Sequence, residues 1–172
     1  MIVRRHEEGG VRSKAVYSGC ETYRYLLARD WGPGGRLLYI LLNPSTASEL
    51  RNDPTVERCQ RRARYLGFGG FRVANLFAFR ATDPRDLKRA DQPVGPENDA
   101  VIEAEAKAAT LIVCGWGVHG AHRARGPQVS RRLATMGLPL AHLGLTRHGA
   151  PCHPLYVPYS REIHPWIDPP AT

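Results

Sequence analysis

The sequence predicts an α/β domain with three layers, α/β/α, built on a central four-stranded parallel sheet and carrying an N-terminal β-hairpin. Three observations lead there. Apolar runs of strand length (Leu37–Leu42, Phe71–Phe77, Leu111–Cys114, Leu138–Leu145) are separated by segments with helical spacing. The first run has no polar break, the pattern of a strand buried on both faces, as parallel strands are. Alternation of strand and helix requires crossovers that lay helices over the sheet.

Residues 1–12 are polar and read as a loose start. From Lys14 to Arg29 the chain alternates in part (Val16, Cys20, Tyr23, Tyr25, Leu27), with Ser18-Gly19 as a turn, which predicts a hairpin at the edge of the sheet. Trp31–Gly35 is a loop. Asn43-Pro44 ends the first buried strand, because proline has no amide to give to a ladder. Asp53-Pro54 opens a helix to about Leu66, with aspartate as cap and proline in the first turn, and Gly67 stops it. Gly69-Gly70 leads into the second strand, and a loop containing Arg80, Thr82, Asp83 and Pro84 follows it. Gly95-Pro96-Glu97 opens a helix with Ala100, Val101, Ala104 and Ala108 in amphipathic spacing. Gly115–Gly120 is a loop after the third strand, and residues 126–136 form a helix closed by Gly137. Residues 146–158 are a Gly-, Pro- and His-rich loop, and a short helix is expected over Ser160–Ile167. The whole, 1–172, reads as one domain: an extension (1–35), a core (36–158) and a tail (159–172).

With 42% hydrophobic and 23% charged residues, the 172-residue chain has the composition of a globular domain. No apolar run is long enough to span a bilayer, and Met1-Ile-Val-Arg-Arg5 is not a secretion signal, so the expectation is a cytoplasmic protein with no membrane partner. The four cysteines are scattered without a C-x-x-C pair, which fits free thiols, shows no zinc spacing and gives an iron–sulfur cluster little support. The net charge is +8, and no acid lies between Lys107 and Ser160, a span that carries Arg123, Arg125, Arg131, Arg132 and Arg147. A second basic cluster is Arg58, Arg61, Arg62 and Arg64. Such a distribution points to a polyanion such as nucleic acid, the alternative being a solvated basic surface.

In open α/β sheets ligands bind beyond the carboxyl ends of the strands. Four loops occupy that edge: Asn43-Pro44-Ser45, Asn75–Arg80, Gly115–Gly117 and His148–Tyr156. Gly115-Trp-Gly-Val-His-Gly120 has the G-x-G-x-x-G form, but the acid that should follow about twenty residues on is missing, which argues against a dinucleotide. His119 and His122 lack a third metal ligand and read as phosphate contacts or surface groups. No cofactor and no metal is expected.

Taken in order, these segments resemble the uracil-DNA glycosylase superfamily. Leu41-Leu-Asn-Pro-Ser45 resembles its first motif in the Asn-Pro form, Val73-Ala-Asn-Leu76 the segment supplying its base-reading asparagine, Leu111–Gly117 its third strand and phosphate loop, and His153-Pro154 the start of its second motif. Asn-Pro-Ser-Thr-Ala47, Asn-Asp-Pro-Thr55, the run from Asn75 to Pro84, and Val94–Asp99 resemble a bacterial and phage family known only as a domain of unknown function. The superfamily resemblance implies a DNA glycosylase acting as a monomer on a base flipped from the double helix. Asn43 would orient the attacking water and His153 would hydrogen-bond the departing base. Asn75 would read the base's pairing edge, Phe77 or Phe79 would stack on it beside Arg80, and Leu155 or Tyr156 would wedge into the duplex. Arg123 and Arg125 would hold phosphates, with Trp116 nearby. Ser45 stands where strict uracil enzymes place a tyrosine, which implies a pyrimidine enlarged at carbon 5, glucosylated hydroxymethylcytosine of phage DNA being one example, and with it an anti-phage role. Leu155-Tyr156 departs from the motif's Ser-Pro. No lysine lies in these loops, so an abasic site rather than a lyase product is expected.

Each residue also has a structural alternative. Asn43 and His153 suit turns, Asn75 can satisfy backbone, Asp53 is either a helix cap or a catalytic acid, and Trp116, Phe77 and Phe79 can be packing residues. Two other functions remain open: a non-catalytic binder of modified or damaged DNA, and a hydrolase of free nucleosides or nucleotides.

Overall fold

The computed structural model describes residues 1–167, so the last five residues of the expected tail lie outside it. The chain opens with three antiparallel strands, β1 (Ile2–Glu8), β2 (Val11–Tyr17) and β3 (Arg24–Asp30). The expected hairpin is β2–β3. The expected loose start is instead a strand: apart from half-buried Ile2 and His6 β1 is exposed, so it carries no apolar alternation to betray it.

β4 (Arg36–Leu41) leads to helix α1 (Pro54–Tyr65) and back to β5 (Gly70–Asn75). Asp53 caps α1 as expected, its Oδ1 accepting from the Val56 amide at 2.9 Å. The loop after β5 contains a short helix, α2 (Pro84–Arg89), capped by Asp83, where the sequence predicts loop throughout. Helix α3 (Asn98–Ala108), strand β6 (Leu111–Cys114), a 3-10 turn over Val118–Ala124 and helix α4 (Arg125–Thr135) follow. The fourth strand shrinks from the expected 138–145 to β7 (Ala141–His142), and the expected terminal helix is absent: β8 (His164–Pro165) pairs antiparallel with β7.

Among the described residues the sheet is therefore eight-stranded and mixed, in the order β1-β2-β3-β5-β4-β6-β7-β8, not a four-stranded parallel one. Its middle, β5-β4-β6-β7, is parallel, and β3 joins it antiparallel to β5. On one face Leu37, Tyr39, Leu41, Phe71 and Val73 pack with Val56, Cys59 and Ala63 of α1. On the other, Leu38, Ile40, Ala74 and Leu76 pack with Ile102 and Ala106 of α3 and Val129 and Leu133 of α4. β4 is apolar on both faces because both are covered. Each fully buried side chain of this kind contributes roughly 1.5–3 kcal/mol.

Candidate functional site

The parallel strands bring their following loops to one edge, where the loops pair off. The first two are stitched by Ala81 N–H to Pro44 O at 3.0 Å, and the last two by Gly117 N–H to Pro151 O at 2.8 Å. Gly120 serves packing here, since a Cβ on it would collide with the Trp116 indole; the G-x-G-x-x-G pattern thus has a steric cause.

The loop after β4 is held from below by two arginines that sequence reasoning passed over. Arg24 and Arg29 of β3 are 2% and 3% exposed. Arg24 Nη1 donates to Ala47 O at 2.7 Å, and Arg29 Nη2 to Ser48 O at 2.5 Å and Asn52 Oδ1 at 3.1 Å. The signal was available: two cations bracketing the apolar run Tyr25–Ala28 belong to a strand whose ends approach carbonyls. Asn43 Nδ2 donates to Ala81 O at 2.7 Å and to Pro44 O at 3.1 Å, which ties the first loop to the second. Ser45 Oγ meets Thr82 Oγ1 at 3.2 Å, and Ser45 lines an open groove with Phe79, Arg80, Thr82 and Asp86. Asp53 uses its second oxygen to accept from Ala47 N–H at 3.2 Å.

His153 lies elsewhere on this edge. It lines a cavity of about 330 Å3 with Leu42, Trp116, Gly117, Val118, His119, Thr146, Cys152 and Tyr156. Burial, opposed by the Asp53 carboxylate, holds its imidazole down to about 4, so it is neutral at physiological pH. Nδ1 accepts from the Leu155 amide at 3.3 Å. The proton therefore sits on Nε2, which remains as a neutral donor. The turn bearing His153 is fixed by α1: Arg58 Nε donates to Pro154 O at 3.2 Å and Arg58 Nη2 to Val157 O at 2.8 Å. Arg62, 3% exposed, donates to Pro158 O at 3.1 Å and Arg161 O at 3.0 Å.

The other expected site residues separate. Asn43, Asn75 and Asp53 do not line the His153 cavity, although Leu42 does and Asp53 acts on His153 electrostatically. Asn75 is 2% exposed, and its Oδ1 has no hydrogen-bond partner among the described residues. Phe77 is wholly buried in the core against Leu38 and Ile40, whereas Phe79 is half-buried and edge-to-face with Tyr23. Trp116 is buried, 5.6 Å from the Trp166 ring, with its indole between two cavities. Tyr156 is exposed and Leu155 half-buried. Arg123 donates to the Ala90 and Asp91 carbonyls from the surface. Arg125 is 4% exposed and bonds Leu76 O, Gln128 and Asp99, so it reaches no phosphate without leaving them. The basic cluster of α1 is likewise engaged: Arg58 and Arg62 hold carbonyls, Arg61 pairs with Glu57, and Arg64 lies over Trp31 at 4.2 Å. Among the described residues no group of three or more His, Cys, Asp or Glu converges on a metal position, and no helix is long and apolar enough to cross a membrane.

No curated protein and no solved structure matches the chain. A family model described as "Protein of unknown function (DUF1643)" matches residues 24–155, a span that runs from the start of β3 through the parallel strands to the His153 turn. That span is well over half of the 172 residues, and the chain belongs to the DUF1643 family.

Proposed function

We propose that the protein is a DNA N-glycosylase that removes a modified pyrimidine everted from the duplex. The observation that carries this reading is His153: a neutral imidazole with Nδ1 committed and an Nε2–H donor, on a cavity at the carboxyl edge of parallel strands. Cleavage of the bond between C1′ and the base nitrogen sends the electron pair into the base, and a carbonyl oxygen of the base takes on the charge. A neutral donor already in place stabilises that oxygen without first losing a proton. Water adds to C1′, its proton goes to the departing base through solvent, and a free base and an abasic site result. The Asp53 carboxylate, near enough to His153 to act on it, offsets positive charge building on the sugar. Asn43 stands next to cavity-lining Leu42 rather than on the cavity itself, and with its nitrogen occupied only its amide oxygen is left to orient the water. Asn75, 2% exposed and off this cavity, would meet a base's pairing edge only if the second loop moved to uncover its partnerless Oδ1. The cavity of about 330 Å3 lies within the size range of ligand sites, about 300–1,000 Å3. Ser45 lines a second, open groove, the place this reading gives to a group on carbon 5.

The test is incubation with duplexes carrying cytosine, uracil, 5-hydroxymethylcytosine or its glucosylated form, followed by alkali to cut abasic sites. One of the modified duplexes should be cut, and His153→Ala should lower the rate by about 10²–10³-fold. Absence of cutting on every duplex would sink the reading. A non-catalytic DNA binder is the second reading, favoured by the structural use of the Asn43 nitrogen. It predicts retention of a modified duplex with no strand scission.

A further inference from the structure

β1 ends the sheet, with β2 on one side and nothing among the described residues on the other. Its two-residue turn, Gly9-Gly10, has φ of +56° and +76°, the geometry that tightly joins an antiparallel pair. Such a turn makes Glu8 and Val11 a hydrogen-bonded pair, and pairs alternate from there. Residues 8, 6, 4 and 2 therefore bond β2, while Val3, Arg5 and Glu7 direct their amides and carbonyls outward. Arg5 sits opposite Lys14, a like charge. Neither Arg5 nor Glu7 has an ion-pair partner among the described residues.

The strand reads Ile-Val-Arg-Arg-His-Glu-Glu, which complements itself when reversed. We infer that β1 is a homodimerisation edge, where two copies pair antiparallel about a twofold axis at His6. In that register Arg5 faces Glu7 of the second copy on both sides of the axis, while Arg4 and Glu8, which also face each other, are already engaged with Glu21 and His6. The backbone agrees. Arg5 and Glu7 both have outward hydrogen-bonding groups and form the bonded pairs, and His6 faces His6 as a non-bonded pair. A register centred on Arg5 would bond Arg5 to Arg5 and lose the complementarity. The contact is isologous and closes on itself, joining the two sheets into one. Mixed charge on an edge usually discourages pairing with foreign strands. Here it leaves one favoured partner, a second copy. The edge lies outside the family span, which begins at residue 24.

The test is sedimentation of the full chain from about 1 to 500 µM at low and high salt, the range suited to a contact well below standard interface size. Wild type should shift from monomer to dimer, less so in high salt. Arg5→Glu should lose the shift by at least tenfold in concentration. Its fold should hold, since glutamate at position 5 faces Lys14. Glu7→Arg should lose it as well. Mixing R5E with E7R should restore a dimer, because opposite charges then meet again across the axis. A wild type that stays monomeric throughout, variants that dimerise unchanged, or a mixture that fails to associate would each overturn the assignment.

Discussion

His153 shows how one side chain can be read twice. As a residue before proline it is an N-cap for its own turn, and the Leu155 N–H it accepts satisfies that role. The same hydrogen bond sets its tautomer, so the structural reading and the chemical one are a single geometry. Its pH behaviour follows. The folded protein resists taking up this proton until about 4, while an unfolded chain takes it near about 6.5. Stability from this group is intact above about 6.5 and is lost as pH falls toward 4, by up to about 3 kcal/mol. Burial shifts His122 and His142 in the same direction. Urea unfolding between pH 4 and 7 should therefore show stability rising with pH, with a shallower slope in His153→Gln. Arg125 carries the opposite lesson. Its charge suggested phosphate, but its bonds to Leu76 O and Asp99 make it a strut. Arg125→Met should lower unfolding stability by about 1–3 kcal/mol, because Leu76 O keeps only its bond from Asn98 Nδ2 and Asp99 is left with the more distant Arg132. Nothing in the identity of an arginine tells whether it faces water or a carbonyl.

Among the elements, legibility tracked burial. β4 and α1 were readable because an apolar run and an Asp-Pro cap are local signals. β1 was not, because all but Ile2 and His6 meet water, and neither was β8, whose strand character comes from pairing with β7. β7 was overextended since Leu138, Leu140, Leu143 and Leu145 look alike in sequence, though only Ala141 and His142 pair with β6. The candidate site was half legible: the loops do meet at one edge, but which loop packs on which, and that α1 holds the last one, depends on tertiary contacts. That last dependence is testable. Arg58 bonds Pro154 O and Val157 O, and stacks over Tyr159 at 4.7 Å. Arg58→Met keeps the stem but loses both hydrogen bonds. Amide exchange across 153–157 should accelerate while the amides of β4 and β5 stay protected, at a cost of roughly 1–3 kcal/mol to the turn.

For the whole molecule, net charge is a weaker guide than it first looks. Several of the cations behind the +8 are spent on carbonyls and carboxylates inside the fold, Arg24, Arg29, Arg62 and Arg125 among them. What the sheet order does establish is a division of labour between its strands. β3 sends Leu27 into the core and Arg24 and Arg29 under the loop after β4, so the parallel half leans on it. β1 gives the core little beyond Ile2, and it is held chiefly by β2 and, through Arg4, by Glu21 and Tyr17. Removing residues 1–9 should therefore leave a cooperatively folding domain whose melting temperature falls by no more than about 5 °C. Removing residues 1–30 takes away Leu27, Ala28 and both buried arginines, leaving the edge of β5 and the carbonyls of Ala47 and Ser48 without partners. That chain should fail to fold. Calorimetry on the two truncations separates the cases, and a shorter truncation that melts without a cooperative transition would show that the outermost strand supports the core more than its burial implies.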